Sequence, residues 1–388
     1  MSAQLLSIAP HAPALDLDAI LPGVTAAFAA TAAQHDRAGT LPVENFALLQ
    51  RHGLLALTAP RRLGGGGGDL AEARRVVAAV ARGEPATALV LTMQYLFHAG
   101  LDDRSGFSEA LKVRVIDEAL RDGALINALR VEPDLGTPAR GGLPGTVARR
   151  APEGWRLDGR KTFSTGSTAL TWMVVWARSD DAEPLVGGWL VRAHTPGIRI
   201  EESWDHLGLR ASASHDVVLE DVLVPFDQAL DPKPVGQQPP YSAAFANWSA
   251  VLTSAIYDAV ARNARDWLVG WLIERKPTNL GASLSTLPRF QEIVGAIDGL
   301  LLQNRLLLDA GTSGATSGLE AGLVKHLVTE NAIAAVEKAI AVAGNAGLTR
   351  HNPLERHLRD VLCGRIHTPQ GDVVLGSTGR AAFAERGA

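Results

Sequence analysis

A single cysteine, Cys363, stands in 388 residues, which excludes an internal disulfide and any metal site built from several thiolates. Such sparing use of cysteine fits a reducing compartment, and the cytoplasm is expected. An excess of charge of one sign is also missing. The chain has 37 Lys and Arg against 41 Asp and Glu, a formal charge of -4, so nothing in the overall balance favours nucleic acid or an anionic membrane as a partner. The first residues, MSAQLLSIAPHAPALDLDAILPG, hold no basic leader followed by an unbroken apolar run, so no secretory signal is expected. No apolar run reaches the roughly 18 to 20 residues of a membrane helix without a charge, a proline or glycines inside it. What is present, 46% hydrophobic and 20% charged residues, is the composition of a globular protein long enough for two or three packed units.

From Leu15 to about Glu118 the period is helical. Val43, Phe46, Ala47 and Leu54 form one apolar face, closed by Gly53 and Pro60. The glycine run from Gly64 to Gly68 lacks the Lys-Ser/Thr ending of a phosphate loop, so it reads as a flexible surface turn with Asp69 capping the next helix. That helix leads into a second, Ala86 to Ala99, whose tail carries Tyr95 and His98 on an otherwise apolar element.

Near Ala124 the period shortens. ALINALRV, the pair GTVARR and GWRLDGRKTF, TWMVVWARS, GGWLVRA, GIRIEES and HDVVLEDVLVP are short, β-branched and aromatic-rich, with Gly, Pro or Asp between them. That rhythm predicts an antiparallel β-barrel or sandwich rather than alternating β-α units. After the linker DPKPVGQQPPY the helical period returns over 243–273, 287–309 and 319–343, and these with a shorter helix ending near Gly364 predict a four-helix bundle. The expected organisation is α+β: an all-helical domain over 1–123, a β domain over 124–230 and a helical bundle over 231–388.

That order accompanies a series of short motifs. APRRLGGGGGDL resembles a Pro-x-x-x-Gly-Gly-x-Gly turn, and Glu132-Pro133 with Gly136-Thr137 resembles a Thr-Glu-Pro-x-x-Gly-Ser loop, with Val131 where the threonine would stand. DGRKTFSTGS matches an Asn-Gly-x-Lys-x-Trp-Ile-Thr-Asn-Gly hairpin, and LGLRASASHDVVLEDVLVP a Gly-x-Arg-x-Ser signature with its following strand. In the bundle, ERKPTNLGASLSTLPRFQ, AGNAG at 343–347 and the run Pro353, Glu355, Arg359, Asp360 follow in the same order. Together they resemble the acyl-CoA dehydrogenase superfamily of flavoproteins over nearly the whole chain.

The resemblance implies a flavin, FAD or alternatively reduced FMN, between the β domain and the bundle. Phe163, Ser164 and Thr165 would lie along its ring, with Val131 and Thr137 in the neighbouring loop. Arg275 and Gln291 would reach the dinucleotide part from another subunit of a homotetramer or homodimer, because a planar guanidinium suits a pyrophosphate. Gly344 and Gln370 would complete the set.

One requirement of dehydrogenation is unmet. Removing an α-proton from an acyl thioester needs a carboxylate beside the substrate. Counted from Arg359, the places of the family's Glu-Gly-Thr hold Thr368, Pro369 and Gln370, and the alternative place on the first bundle helix, FANWSAVLT, has no acid. Pro369 disfavours helix at Thr368, which puts the preceding His367 at an element's edge, where a cavity can be lined. FSTG in place of Trp-Ile-Thr, together with His367, resembles the flavin monooxygenase branch of the same fold. There a small hydroxyl such as Ser164 and an imidazole such as His367 or His98 would handle protons.

Three readings therefore stand: a reduced-flavin-dependent monooxygenase, slightly favoured; an acyl-CoA dehydrogenase with a displaced base; and a flavin-binding protein without turnover. The implied partners are an acyl thioester or an aromatic or heterocyclic substrate, with an electron-transfer flavoprotein or a flavin reductase supplying or accepting electrons. No metal site is expected, because no two histidines stand at ligand spacing with a following acid.

Overall fold

The computed structural model describes residues 15–102, 106–135, 142–237 and 242–386. Five helices come first: α1 Leu17–Ala38, α2 Val43–Arg51, α3 Leu70–Gly83, α4 Pro85–Ala99 and α5 Glu109–Arg121. Asp69 caps α3 in a full capping box with Glu72, as its position before an apolar run requires. The glycine run before it differs from expectation. Its amides from Gly65 to Gly68 donate to the carbonyls of Pro60, Ala56, Ala59 and Leu57, and a Cβ on Gly66 would lie 2.7 Å from the Leu57 oxygen. The run is a close backbone-to-backbone packing element, which is why side chains are absent from it.

The strands are β1 Leu125–Leu129, β2 Val147–Ala151, β3 Gly154–Lys161, β4 Leu170–Ser179, β5 Leu185–Arg192, β6 Ile198–Glu201, β7 Asp216–Val224 and β8 Ala229–Pro234. They form one sheet in the order β6-β7-β3-β2-β4-β5-β8, with β1 also on β4. Most neighbours are antiparallel, but β1 and β2 both run parallel to β4, so the sheet is mixed. β8 pairs with β5 and carries the sheet past residue 230. Its prolines, Pro232 and Pro234, are tolerated because it is an edge strand, which masked it in the sequence.

Three long helices follow: α6 Ala243–Glu274, α7 Pro288–Thr312 and α8 Gly318–Ala343. The short α9 Asn345–Leu348, α10 Leu354–Leu362 and a last helix, α11 Gly371–Ala384, complete the chain. Asn304 on α7 donates to Asp258 on α6 and to the Val328 carbonyl on α8, fixing these three levels side by side. On α8, Val324, Val328 and Val336 are buried and Leu327 is exposed. The domains are joined by polar anchors as well as an apolar core. Arg359 on α10 makes a two-pronged ion pair with Asp36 on α1, and Leu209 donates its amide to Asp360 at 2.7 Å. A Cβ on Gly208 would lie 2.1 Å from the Arg359 oxygen, so the loop before β7 docks on α10 through a glycine.

Candidate active site

The turn after β3 carries Phe163, Ser164 and Thr165. It is held from below by a buried pair: Lys161 donates to Glu132 at 2.5 Å and to the Trp176 carbonyl, while Glu132 also accepts from Thr146 and the Gly145 amide. Burial pushes the Lys161 ammonium down to about 8. Burial also opposes ionisation of Glu132, but Lys161 and the hydrogen bonds outweigh it and hold its carboxyl below the usual range. We take the pair as ionised at neutral pH, because every oxygen of Glu132 is met by a donor.

Above this support the turn leaves specific groups free. Phe163 is 55% exposed and has a left-handed φ of 54°, a conformation that a bulky residue adopts only when its surroundings impose it. Its ring meets those of Trp204 and His206 edge-on, and the latter two stack at 3.7 Å. The amides of Ser164, Thr165 and Gly166 are already bonded to His215, Phe163 and Ser212 carbonyls. The Ser164 hydroxyl is buried without a partner among the described residues. Ser214 donates to the Thr165 hydroxyl at 3.1 Å and meets Ser212 at 2.8 Å, so the chain of hydroxyls ends on a Thr165 hydrogen that no group among the described residues receives. Val131 accepts the Thr162 amide beside this turn. Thr137 lies outside the described residues. An exposed aromatic platform beside one orphan hydroxyl and one spare hydroxyl hydrogen fits a flat heteroaromatic ligand with hydrogen-bonding edges, as a flavin ring is.

His367 approaches from the bundle. Between a 3-10 turn, Cys363–Arg365, and α11, it sits partly buried, with its Nδ1 2.5 Å from the hydroxyl of Tyr257 on α6. Lys325 on α8 is buried, and its ammonium donates to the carbonyls of Gly364 at 2.6 Å and His367 at 2.7 Å. Burial, and then the Lys325 charge, push the imidazole down to about 4. An exchange of protons near neutral pH, expected from the unperturbed ring, is therefore replaced by a ring held neutral. Thr368 is exposed, and Gln370 reaches the Ile366 carbonyl and lines a cleft of about 460 Å³ with Lys325, His326, Arg365 and Asp372. The two halves are linked through α10: Asp360, pushed up to about 7 by burial, receives Leu209, and the same loop gives Ser164 its carbonyl partner at His215.

His98 stands apart from this region. It is fully buried on α4 near Leu55, neither ring nitrogen has a well-formed hydrogen bond, and burial pushes it down to about 3. Val90 is the α4 residue that a Cβ on Gly166 would meet, and His98 lies eight residues further, about 12 Å along the helix. Arg275 and Gln291 are exposed at the far end of the bundle, where Gln291 bonds the Ser285 carbonyl, and Gly344 ends α8 with a φ of 57°. Arg275 is 18 residues beyond Tyr257, about 27 Å along the axis of α6, so within one protomer it stands away from His367.

Sequence reasoning missed Lys325. Its signal was present: a lysine at the spacing of Ala321, Thr329 and Ala332, on the buried face of an otherwise apolar helix. The destination of the Tyr257 hydroxyl could not be read from spacing.

Models of the acyl-CoA dehydrogenase N-terminal, middle and C-terminal domains match residues 23–115, 130–222 and 260–370. The chain belongs to the acyl-CoA dehydrogenase family, whose members are flavin-dependent oxidoreductases or oxygenases. It is 34% identical to the putative acyl-CoA dehydrogenase YdbM of Bacillus subtilis, over 92% of this chain and 93% of that one. It is 28% identical to L-evernosamine nitrososynthase of a Micromonospora species, over 95% and 90% of the two chains. The solved structure of KijD3 in complex with FMN and dTDP-3-amino-2,3,6-trideoxy-4-keto-3-methyl-D-glucose superposes with a TM-score of 0.79 at 29% identity, covering 97% of this chain and 95% of that one. Among the described residues no helix is long and apolar enough to cross a membrane.

Proposed function

We propose that this protein is a flavin-dependent monooxygenase on the acyl-CoA dehydrogenase scaffold, supplied with reduced flavin by a separate reductase. The observation that carries the reading is the place of the missing carboxylate. Counted from Arg359 as the family resemblance implies, Thr368 would stand there, and next to it in the chain is a neutral imidazole, His367, tied to Tyr257 and Lys325. A hydroxyl is far too weak a base for an acyl α-proton, whereas a neutral imidazole N–H can donate a hydrogen bond to an oxygen that gathers negative charge. The similarity to nitrososynthases and to an FMN-bound structure supports the same side of the family.

When bound, the flavin supplies two-electron chemistry and activates oxygen. Phe163 would cover its ring, Thr165 would donate its spare hydroxyl hydrogen to a ring edge, and Ser164 would give its orphan hydroxyl a partner. FMN or FAD fits these ring contacts equally. Arg275 and Gln291 would serve the adenylate side of FAD only from a neighbouring protomer, in a homodimer or homotetramer. Substrate classes to test are aromatic and heterocyclic compounds, acyl thioesters and, from the relatives' names, nucleotide-linked amino sugars.

The second reading, acyl-CoA dehydrogenation with electrons passed to an electron-transfer flavoprotein, is favoured by the similarity to the Bacillus subtilis protein. An anaerobic panel of acyl-CoA thioesters separates the two. The oxidised flavin should keep its colour throughout, and product should form only when oxygen and a flavin reductase are both present. Bleaching by any acyl-CoA would overturn the monooxygenase reading.

A milder change tests the ring contacts. Ser164→Ala removes a hydroxyl without a protein partner, so unfolding free energy should move by less than about 1 kcal/mol, while flavin dissociation should rise about 3- to 10-fold. Urea titration and fluorescence titration with FMN and FAD read the two quantities separately.

A further inference from the structure

We propose that Tyr257 and Lys325 are positioning residues that fix His367 as the neutral tautomer with its hydrogen on Nε2, making it a hydrogen-bond donor rather than a base. The functional consequence rests on His367 serving the reaction proposed above; the tautomer itself does not.

The argument begins with the Tyr257 hydroxyl. Its ring is fully buried in the middle of α6, and burial pushes the phenol well above its usual range, so it keeps its hydrogen. A buried O–H left without an acceptor keeps the full cost of its lost hydration. Its one hydrogen-bond partner among the described residues is His367 Nδ1, at 2.5 Å. Tyr257 must therefore donate and Nδ1 must accept, which leaves the hydrogen of a neutral imidazole on Nε2. Nε2 itself makes no hydrogen bond to the described protein, so that N–H is unspent.

Protonating the ring would put a second hydrogen on Nδ1, facing the Tyr257 hydrogen, and would place a cation beside the Lys325 ammonium that grips the carbonyl of the same residue. Lys325 has no carboxylate within hydrogen-bond reach among the described residues; both its bonds go to backbone, at Gly364 and His367. The other charged groups around the turn are already engaged. Glu330 on α8 pairs with Arg365 at 2.6 Å, Asp360 on α10 holds the Leu209 amide, and burial keeps the Cys363 thiol protonated by pushing it up to about 12. Asp372 lines the cleft with Lys325, and among the described residues no carboxylate bonds the His367 ring. The turn is also tightly seated, since a Cβ on Gly364 would lie 2.7 Å from Thr329 and 3.0 Å from the Tyr257 ring.

The test is nitrogen NMR of the full chain labelled with ¹⁵N-histidine, with the His367 signals assigned by their loss in His367→Asn. His367 should show the Nε2–H tautomer and should not titrate between about pH 5.5 and 8.5, where an ordinary histidine does. In Lys325→Met, or Lys325→Gln if the former does not fold, the His367 titration should move to higher pH than in wild type. The acid limb of turnover should move up with it and kcat should fall about 10-fold, with KM nearly unchanged. Tyr257→Phe should give a mixture of tautomers. A wild-type His367 that titrates near about pH 6.5, or that carries its hydrogen on Nδ1, would overturn the proposal without any variant. If the tautomer is as expected but the acyl-CoA panel bleaches the flavin, the proposal stands and the monooxygenase reading falls.

Discussion

Replacing His367 with alanine is expected to lower kcat about 10²- to 10³-fold, the range ascribed to losing one positioned hydrogen-bond donor at developing charge. The effect should fall on kcat rather than on flavin affinity. His367 bonds Tyr257 through its ring and Lys325 through its carbonyl, and alanine keeps the carbonyl contact and therefore the turn. Tyr257 is left with a buried hydroxyl, which adds about 1 to 3 kcal/mol of instability. Tyr257→Phe in the His367→Ala background should recover part of that loss without recovering turnover, separating structure from chemistry. Steady-state turnover with a flavin reductase and oxygen, alongside a urea titration, measures both. Unchanged turnover in His367→Ala would remove the main support for a role there and return attention to Ser164.

The second large effect is on folding. Lys161→Met leaves Glu132 as a buried carboxylate whose strongest partner is gone, and breaking such a pair costs about 3 to 5 kcal/mol. Because Glu132 also anchors Thr146 and Gly145, the loop beneath Phe163 should loosen, and flavin affinity should fall with stability. The pH dependence has a definite sign. Glu132 is held below its ordinary range in the folded protein, so its contribution is complete above about pH 4.5 and is lost as pH falls through its folded value. In Glu132→Gln that part of the acid limb should be absent, at the cost of an unpaired Lys161 near neutral pH. Chemical denaturation from pH 3 to 8, roughly bracketing that range, checks both variants. An acid limb identical in wild type and Glu132→Gln would show that the pair does not govern it.

The fold was legible because it rests on periodicity and turn chemistry, which are local. The 3.6-residue period of α6 to α8, the capping box at Asp69 and the hairpin between β2 and β3 at Ala151 and Gly154 each need only a few neighbouring residues. What local pattern could not show is pairing direction and edge position, so the parallel contacts of β1 and β2 with β4, and the proline-bearing β8, were not foreseen. The glycine run was misread for the same reason. Its glycines answer to the backbone of residues 56–60, a contact no spacing rule encodes.

The sequence by itself determined the class of protein, the order of its helical, β and helical parts, and the fact that Thr368 stands where a carboxylate was expected. Only the tertiary structure decided how His367 is held. Burial and then a lysine 42 positions away keep it neutral, and a phenol 110 positions away holds its Nδ1, all brought together by helix packing. Likewise only the packed chain left His98 on the far run of α4 and Arg275 at the other end of the bundle. Residue type fixes which chemistry is available, and burial together with the neighbours it enforces fixes which of those chemistries a side chain can express.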